Sequence, residues 1–286
     1  MANWYTHRDL LKSALALEGS ATAAHLELDA VLEGVAREID RHCAFPFYAA
    51  SGTRYYTPQN STALTLDFPL LSVGSIGLDS DENASYDKIL TATDYYLLPY
   101  NATAGSPPMP FWGFELAANT TATLPKATRR GARIIGTWGY YDSRTTMGVS
   151  LSSALTSGAT VAKFNNSSLL HPGQTILIDN EQLFVTRNGK SGSDTATTSG
   201  AVGVQRGVNN TSADSHTTGG AVGLYGYPVV DKASLFQAER DYRARSAPMG
   251  FTGGDNFGPQ QTMQPSVGLH PFTRSALDQF RQPVAI

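Results

Sequence analysis

Six histidines, one cysteine and 24 acidic residues are the groups with which this chain of 286 residues could do acid–base, nucleophilic or metal chemistry. His7, His25, His42, His171, His216 and His270 stand singly, and no two fall at a short metal-ligand spacing. Zinc needs clustered nitrogen and sulfur ligands, and Cys43 alone writes no such cluster. There is no G-x-x-x-x-G-K-S/T loop, no G-x-S-x-G elbow and no H-E-x-x-H pair. "GVQRGVNNTSADSH" has the glycines of a phosphate loop but lacks the closing Lys-Ser/Thr, so its Gly and Asn read as hairpin turns. Asp179 and Glu181 occupy alternate positions of one strand-like segment and so share a face. Carboxylate-pair hydrolysis needs a second facing element and a cleft; a solvated strand edge is the simpler reading. The run "DKASLFQAERDYRARS" mixes Lys232, Arg240, Arg243 and Arg245 with Asp231, Glu239 and Asp241. Such a run is a solvated helix face, or else a subunit or lumen contact made by Arg240, Arg243 and Arg245. The sequence thus predicts no catalytic residue, no cofactor and no metal.

The elements that would position these residues follow from periodicity. Thr6 can cap a first helix with Asp9 in the reciprocal position, and Leu10, Leu11, Ala14, Leu15 and Leu17 follow before Gly19. From Ser20 a longer helix carries Leu28, Val31, Leu32, Val35 and Ile39 as one apolar stripe and stops before Pro46. From Thr53 the period changes to that of short strands: "TRYYTPQNSTALTLDFPLLSVGSIGLD", "ATDYYLLPYN", "PFWGFELAA" and "GARIIGTWGYY". Between Met147 and Gly226 lie strand-like pieces separated by Gly, Ser and Asn turns, the spacing of a small all-β sandwich or barrel. A helix resumes at "VVDKASLFQAERDYRAR", with Asp231 as N-cap. Beyond Pro248 no periodicity is evident until "LHPFTRSALDQFRQPVAI", which reads as extended with one helical turn over Arg274–Phe280.

The expected fold class is α+β: an N-terminal helix pair and a late helix packed with a small antiparallel sheet, plus an inserted all-β module. The expected segments are 1–146 for the first part of the helix-and-sheet domain and 147–226 for the insertion. The late helix takes 227–248 and an extended C-terminal tail 249–286. Loops accept such insertions at small entropic cost.

Composition narrows the function. At 41% hydrophobic the chain can build real cores, while a charged fraction of 16% leaves a surface of Ser, Thr, Asn and Gln. A net charge of −3 provides no electrostatic footprint for gripping nucleic acid, although DNA could still pass through an enclosed lumen. No disulfide is possible within the chain, and Cys43 reads as a buried, inert thiol. No apolar run is long enough to span a bilayer, and the N-terminus does not read as a signal peptide.

The order of parts resembles the head–tail connector (adaptor) proteins of tailed bacteriophages. The likeness is carried by "TRYYTPQNSTALTLDFPLLSVGSIGLD", "ATDYYLLPYN" and "ARIIGTWGYY" after a helix pair and before "VVDKASLFQAERDYRAR", over residues 1–146 and 227–286. None of these stretches is a catalytic signature. The insertion departs from the plain family pattern. It resembles small β domains of other phage virion proteins through "GQTILIDNEQLFVTR" and "VQRGVNNTSADSHTTGGAV", in which the Arg and His fix local structure.

The resemblance implies a structural protein, not an enzyme: a ring, commonly dodecameric, in the virion neck between capsid vertex and tail, assembled in the host cytoplasm. Implied partners are the portal protein, the next neck or tail component (a stopper or tail terminator), further copies of the chain, and genomic DNA crossing the lumen without sequence recognition; no membrane is involved. The family places a C-terminal extension against the portal, which here offers Phe272, Leu277 and Phe280 as apolar anchors that order on binding. The rival reading is a carbohydrate- or receptor-binding tail protein using the inserted module. That module has few aromatics beyond Phe164, Phe184 and Tyr225 to serve it.

Overall fold

Leu28, Leu32, Val35 and Ile39 recur at helical spacing, and all four are buried along helix α2 (His25–Cys43), with Val31 half-buried beside them. Their stripe is the seam on which the other helices pack. These are α1 (Arg8–Ala14), α3 (Pro228–Ala244) and α4 (Pro271–Asp278), with α3 lying against both α2 and α4. Arg8 bridges α1 to α2 through two hydrogen bonds to the Asp29 carboxylate, both 2.7 Å. This computed structural model describes residues 3–17, 24–105, 108–140, 143–188, 200–244 and 268–281.

The fold is α+β, with four helices and two antiparallel sheets among the described residues. By internal contact the chain forms two compact units. One comprises Met1–Cys43, Arg144–Val208 and Ser212–Arg281, and the other is built on Ala44–Ser143. The chain crosses between units at Cys43/Ala44, inside the segment 1–146 expected as one piece, and again at Ser143/Arg144.

In the unit built on Ala44–Ser143, β1 (Ala50–Tyr56), β2 (Ala63–Leu78), β3 (Lys88–Leu90), β4 (Tyr95–Leu98), β5 (Phe111–Leu116) and β6 (Ala132–Trp138) form one sheet. Its order is β1-β6-β2-β5-β4, with β3 also on β2. One face buries Leu66, Leu70, Ile76, Phe114, Ile134 and Trp138. The guanidinium of Arg54 lies 3.4 Å over the Phe68 ring and 5.1 Å from that of Trp138, a half-buried cation–π site. At Gly139 the backbone turns with φ +136°, and a Cβ there would come within 2.2 Å of the Tyr48 carbonyl, so only glycine fits.

In the other unit, β7 (Arg144–Ser150), β8 (Val161–Lys163), β9 (Thr175–Ile178), β10 (Glu181–Asn188), β11 (Ala201–Gln205) and β12 (Ala221–Tyr225) take the order β7-β12-β9-β10-β11-β8. The two outer strands then meet. Leu151 bridges Phe164, Ser152 N–H donates to the Lys163 carbonyl at 2.9 Å, and Asn165 N–H to that of Ser150 at 3.0 Å. The sheet therefore closes on itself around Leu151, Ile176, Ile178, Val185, Val202 and Val222. Arg144 and Tyr225, where the chain enters and leaves this barrel, are paired across β7 and β12.

Why this barrel shares a unit with the helices is written in the first residues. Thr175 donates its hydroxyl to Asn3, and Arg8 N–H donates to the Pro172 carbonyl at 3.1 Å. The Trp4 ring meets Phe184 edge-on at 5.4 Å and covers Gly173, where φ is +103° and a Cβ would clash with the ring at 2.3 Å. His7 stacks on His171 with ring centroids 4.5 Å apart and planes 11° apart, and His171 Nδ1 lies 2.6 Å from the Asp9 carboxylate. This clasp moves the α1 cap from the expected Thr6 to His7, whose Nδ1 accepts the Leu10 N–H at 3.3 Å. Asp9 faces His171 instead of closing a capping box. Burial and the adjacent His171 push the His7 imidazole down to about 4.

Two further local expectations differ. Helix α3 starts at Pro228, so Asp231 lies in its first turn instead of at the cap. Residues 271–278 form a full helix where the sequence reads as extended with one turn over 274–280; Pro271 sits in its first turn and His270 Nδ1 accepts the Phe272 N–H at 3.2 Å.

Candidate functional site: the outer surface of α3 and α4

Along α3, Ala233, Gln237 and Ala238 face inward, while Val229, Lys232, Phe236 and Arg243 are exposed. Buried Gln237 accepts the His270 N–H at 2.9 Å, which fixes the start of α4 against α3. At the other end, His42 Nε2 lies 2.9 Å from Asp278 and ties α4 to α2. With both ends held, Thr273, Leu277 and Phe280 turn into the helices and Phe272 turns out.

The result is an aromatic pair on the surface. Phe236 is 38% and Phe272 47% exposed, with ring centroids 5.0 Å apart. The His270 ring meets Phe236 at 5.2 Å. Next to this pair an open groove of about 440 Å³ is lined by Phe236, Glu239, Arg240, Arg243 and Ala244. Arg243 pairs with Glu239 at 2.8 Å, one helical turn away. Burial raises the carboxyls of Glu38 on α2 and Asp241 on α3, and Arg240 offsets part of that rise in both. Aromatic rings with arginines around a concave patch are the composition of protein-docking cores.

Of the residues singled out in the sequence, Phe272, Arg240 and Arg243 thus meet in one surface. Leu277 and Phe280 lie beneath it, with Leu277 fully buried. Arg245 lies outside the described residues. Phe236 was missed; its signal is its place between Val229 and Arg243, at steps of seven on one helix face.

The carboxylate pair of the β barrel has a different fate. Asp179 occupies the β9–β10 turn at φ +52°, and Glu181 opens β10, so they do not alternate along one strand. Instead they hold His216 from two sides: Nδ1 lies 2.7 Å from Asp179 and Nε2 2.8 Å from Glu181. Glu181 also accepts from Arg206 at 2.7 and 2.6 Å and from the N–H groups of Gly207 and Asp214 at 2.9 and 3.1 Å. Burial alone would raise the Glu181 carboxyl, but these donors outweigh it and hold it below its usual value. Burial likewise works against a charged His216, and the two carboxylates outweigh it and raise the imidazole. Both oxygens of Glu181 are taken up, which leaves none for a substrate; the arrangement pins the 206–216 loop. Among the described residues no group of three or more His, Cys, Asp or Glu could hold a metal ion, and no helix is long and apolar enough to cross a membrane.

No protein-family model matches the chain, and no curated protein matches it. Among solved structures it is similar to a chain of the "neck of empty GTA particle computed with C6 symmetry", at 13% identity and a TM-score of 0.41, covering 100% of this chain and 97% of that one.

Proposed function

We propose that this chain is a structural assembly protein of a virion neck. In this reading it is a subunit of a ring adaptor between portal and tail, through whose lumen DNA passes without sequence recognition. The observation that carries the proposal is the Phe236–Phe272 pair with its arginine-lined groove. Two large aromatics held out of the core by fixed helices are disfavoured in water and become stabilising when a partner covers them. The sequence resemblance to connector proteins names the partner for this surface as the portal protein, with the next neck or tail component on another face. The reading assigns the chain no catalysis and no cofactor: its work is geometric, setting two neighbours at a fixed spacing.

The test is the double variant Phe236→Ser/Phe272→Ser. Both side chains are exposed, so the fold should survive, as thermal unfolding will show. Co-purification with the portal of the same particle should be lost. Undiminished binding by the folded variant would refute the assignment.

A further inference from the structure

The sheet of the Ala44–Ser143 unit has two open ends of opposite character. At the β4 end, Tyr96 and Tyr100 are 55% and 62% exposed, with ring centroids 6.3 Å apart. Tyr96 pairs across the strands with Glu115, which accepts the Tyr100 hydroxyl. Asp94, beside them, is kept ionised by the Thr120 and Thr91 hydroxyls, and Lys88 is the cation that reaches it. This end is aromatic and anionic.

Across the sheet, the outer face of β1, β6 and β2 is aromatic and cationic. Tyr55 on β1 stands opposite Arg133 on β6, which stands opposite Gly77 on β2. The Arg130 guanidinium lies 3.9 Å over the Tyr55 ring, and that of Arg133 4.4 Å over Tyr86. Lys126, Arg129 and Arg130 are exposed, and neither these three nor Arg133 has a carboxylate partner among the described residues. The nearest acidic loop does not neutralise them by contact: Glu82 accepts the Arg129 backbone N–H, and Asp79 accepts those of Asp81 and Ala84. On the same face an open groove of about 420 Å³ has low walls of Ser51, Thr53, Ser72, Gly74, Ile135 and Thr137. Hydroxyls and one exposed isoleucine suit a tyrosine, which has an apolar ring and a polar tip.

We propose that copies of this chain join head to tail through this sheet. The β4 end of one copy, with Tyr96, Tyr100 and Glu115, seats on the outer β1–β6–β2 face of the next, where Arg130 and Arg133 meet the carboxylate. The inference rests on the reading that the chain assembles with itself, and it names the two faces that do so. Like-to-like contact would set arginines against arginines or carboxylates against carboxylates. Unlike faces on one chain make a heterologous contact, the kind that closes into rings.

The prediction is tested on the full chain by sedimentation velocity at low salt, with no portal or tail component present. Arg129→Glu/Arg130→Glu removes one face, and Tyr96→Ser/Glu115→Lys the other. Each variant alone should lose self-association by about a hundredfold or more, the effect of removing two central contacts. Mixed together, each variant retains the face that the other lacks, so the mixture should form one-to-one dimers that grow no further. Such dimers also show that both variants are folded. If a charge reversal unfolds the chain, Arg130→Gln and Glu115→Gln take its place, and each should weaken association and flatten its salt dependence. A wild-type chain that stays monomeric, a variant that assembles like wild type, or folded variants that form no mixed dimer would each overturn the proposal. Those outcomes leave the docking surface of α3 and α4 standing, since the portal experiment reads that surface separately.

Discussion

His7 has two tasks that both require a neutral ring, and this makes the N-terminal clasp acid-sensitive. Its Nδ1 must accept the Leu10 N–H, and its face must lie on His171, whose own Nδ1 is at Asp9. The groups facing His7 are Asp9 from α1 and His171 from the barrel, with burial and His171 outweighing the opposite pull of Asp9. In the unfolded chain His7 titrates near its ordinary 6.5, and in the folded chain near 4. The unfolded state thus binds the proton more tightly, so stability is unaffected above pH 6.5 and falls progressively as pH drops toward 4. With about 1.4 kcal/mol per pKa unit, the loss is about 2 kcal/mol at pH 5 before any discount for partial solvent exposure. His7→Asn keeps a cap acceptor and removes the titration. At neutral pH this variant should be slightly less stable than wild type, because it lacks the ring stack. Between pH 6 and 4.5 the order should reverse. Urea unfolding at a series of pH values checks this, with the fluorescence of Trp4 on Phe184 as the local reporter. Other titrating groups are common to both proteins and largely cancel in the difference. A difference that stays constant from pH 7 to 4.5 would refute the reasoning, as would a His7 ring titrating above pH 6 by NMR.

The Glu181–Arg206–His216 cluster of the barrel should be intolerant of losing one charge: Arg206→Met leaves Glu181 buried with its strongest donors gone and should cost about 3–5 kcal/mol, read by thermal unfolding. Its pH window is bounded on both sides. The lowered Glu181 contribution is lost as pH falls through its folded pKa, and the raised His216 contribution is lost as pH rises through its own. In the helices, Leu32→Ala and Leu277→Ala should each cost about 2–5 kcal/mol by urea unfolding, since both side chains are fully buried; a loss below about 1 kcal/mol at Leu277 would show that α4 is not seated as described.

What the sequence made legible follows the range over which each feature is determined. The α2 stripe is local: Leu28, Leu32, Val35 and Ile39 repeat at helical spacing, and the structure buries them all. The short strands and the all-β character of the insertion are equally local, since period-two alternation needs only neighbours. The α1 cap is not local. Thr6 and His7 are both able to cap, and what selects His7 is His171, far along the chain. Helix α4 escaped for a related reason. Its buried face reads Thr273 and Leu277, with Phe280 just past its end, and the polar first member breaks the apolar period in a segment only eight residues long. The outer surface of α3 and α4 was half visible, because charge marked Arg240 and Arg243 and apolar character marked Phe272. That Leu277 and Phe280 point inward while Phe272 points outward depends on how α4 is anchored by Gln237 and His42. No pattern within that segment states it.

The pairing of Arg144 with Tyr225 sets the ends of the barrel about 5 Å apart, the spacing of cross-strand neighbours. For the rest of the chain, eighty residues therefore occupy the footprint of a tight turn. By the geometry of its ends alone, a segment with that footprint matches any small domain whose termini lie side by side. The exceptions are the ties to the first residues: Trp4 sits on Gly173 and Phe184, Thr175 donates to Asn3, the Pro172 carbonyl accepts the Arg8 N–H, and His171 stacks on His7 and reaches Asp9. A graft that ignores them leaves an indole in water and α1 without its clasp, so the specification for a replacement is adjacent termini plus a surface that receives Asn3, Trp4 and the His7–Asp9 turn. Within those terms the position is a socket for display, one foreign domain per chain.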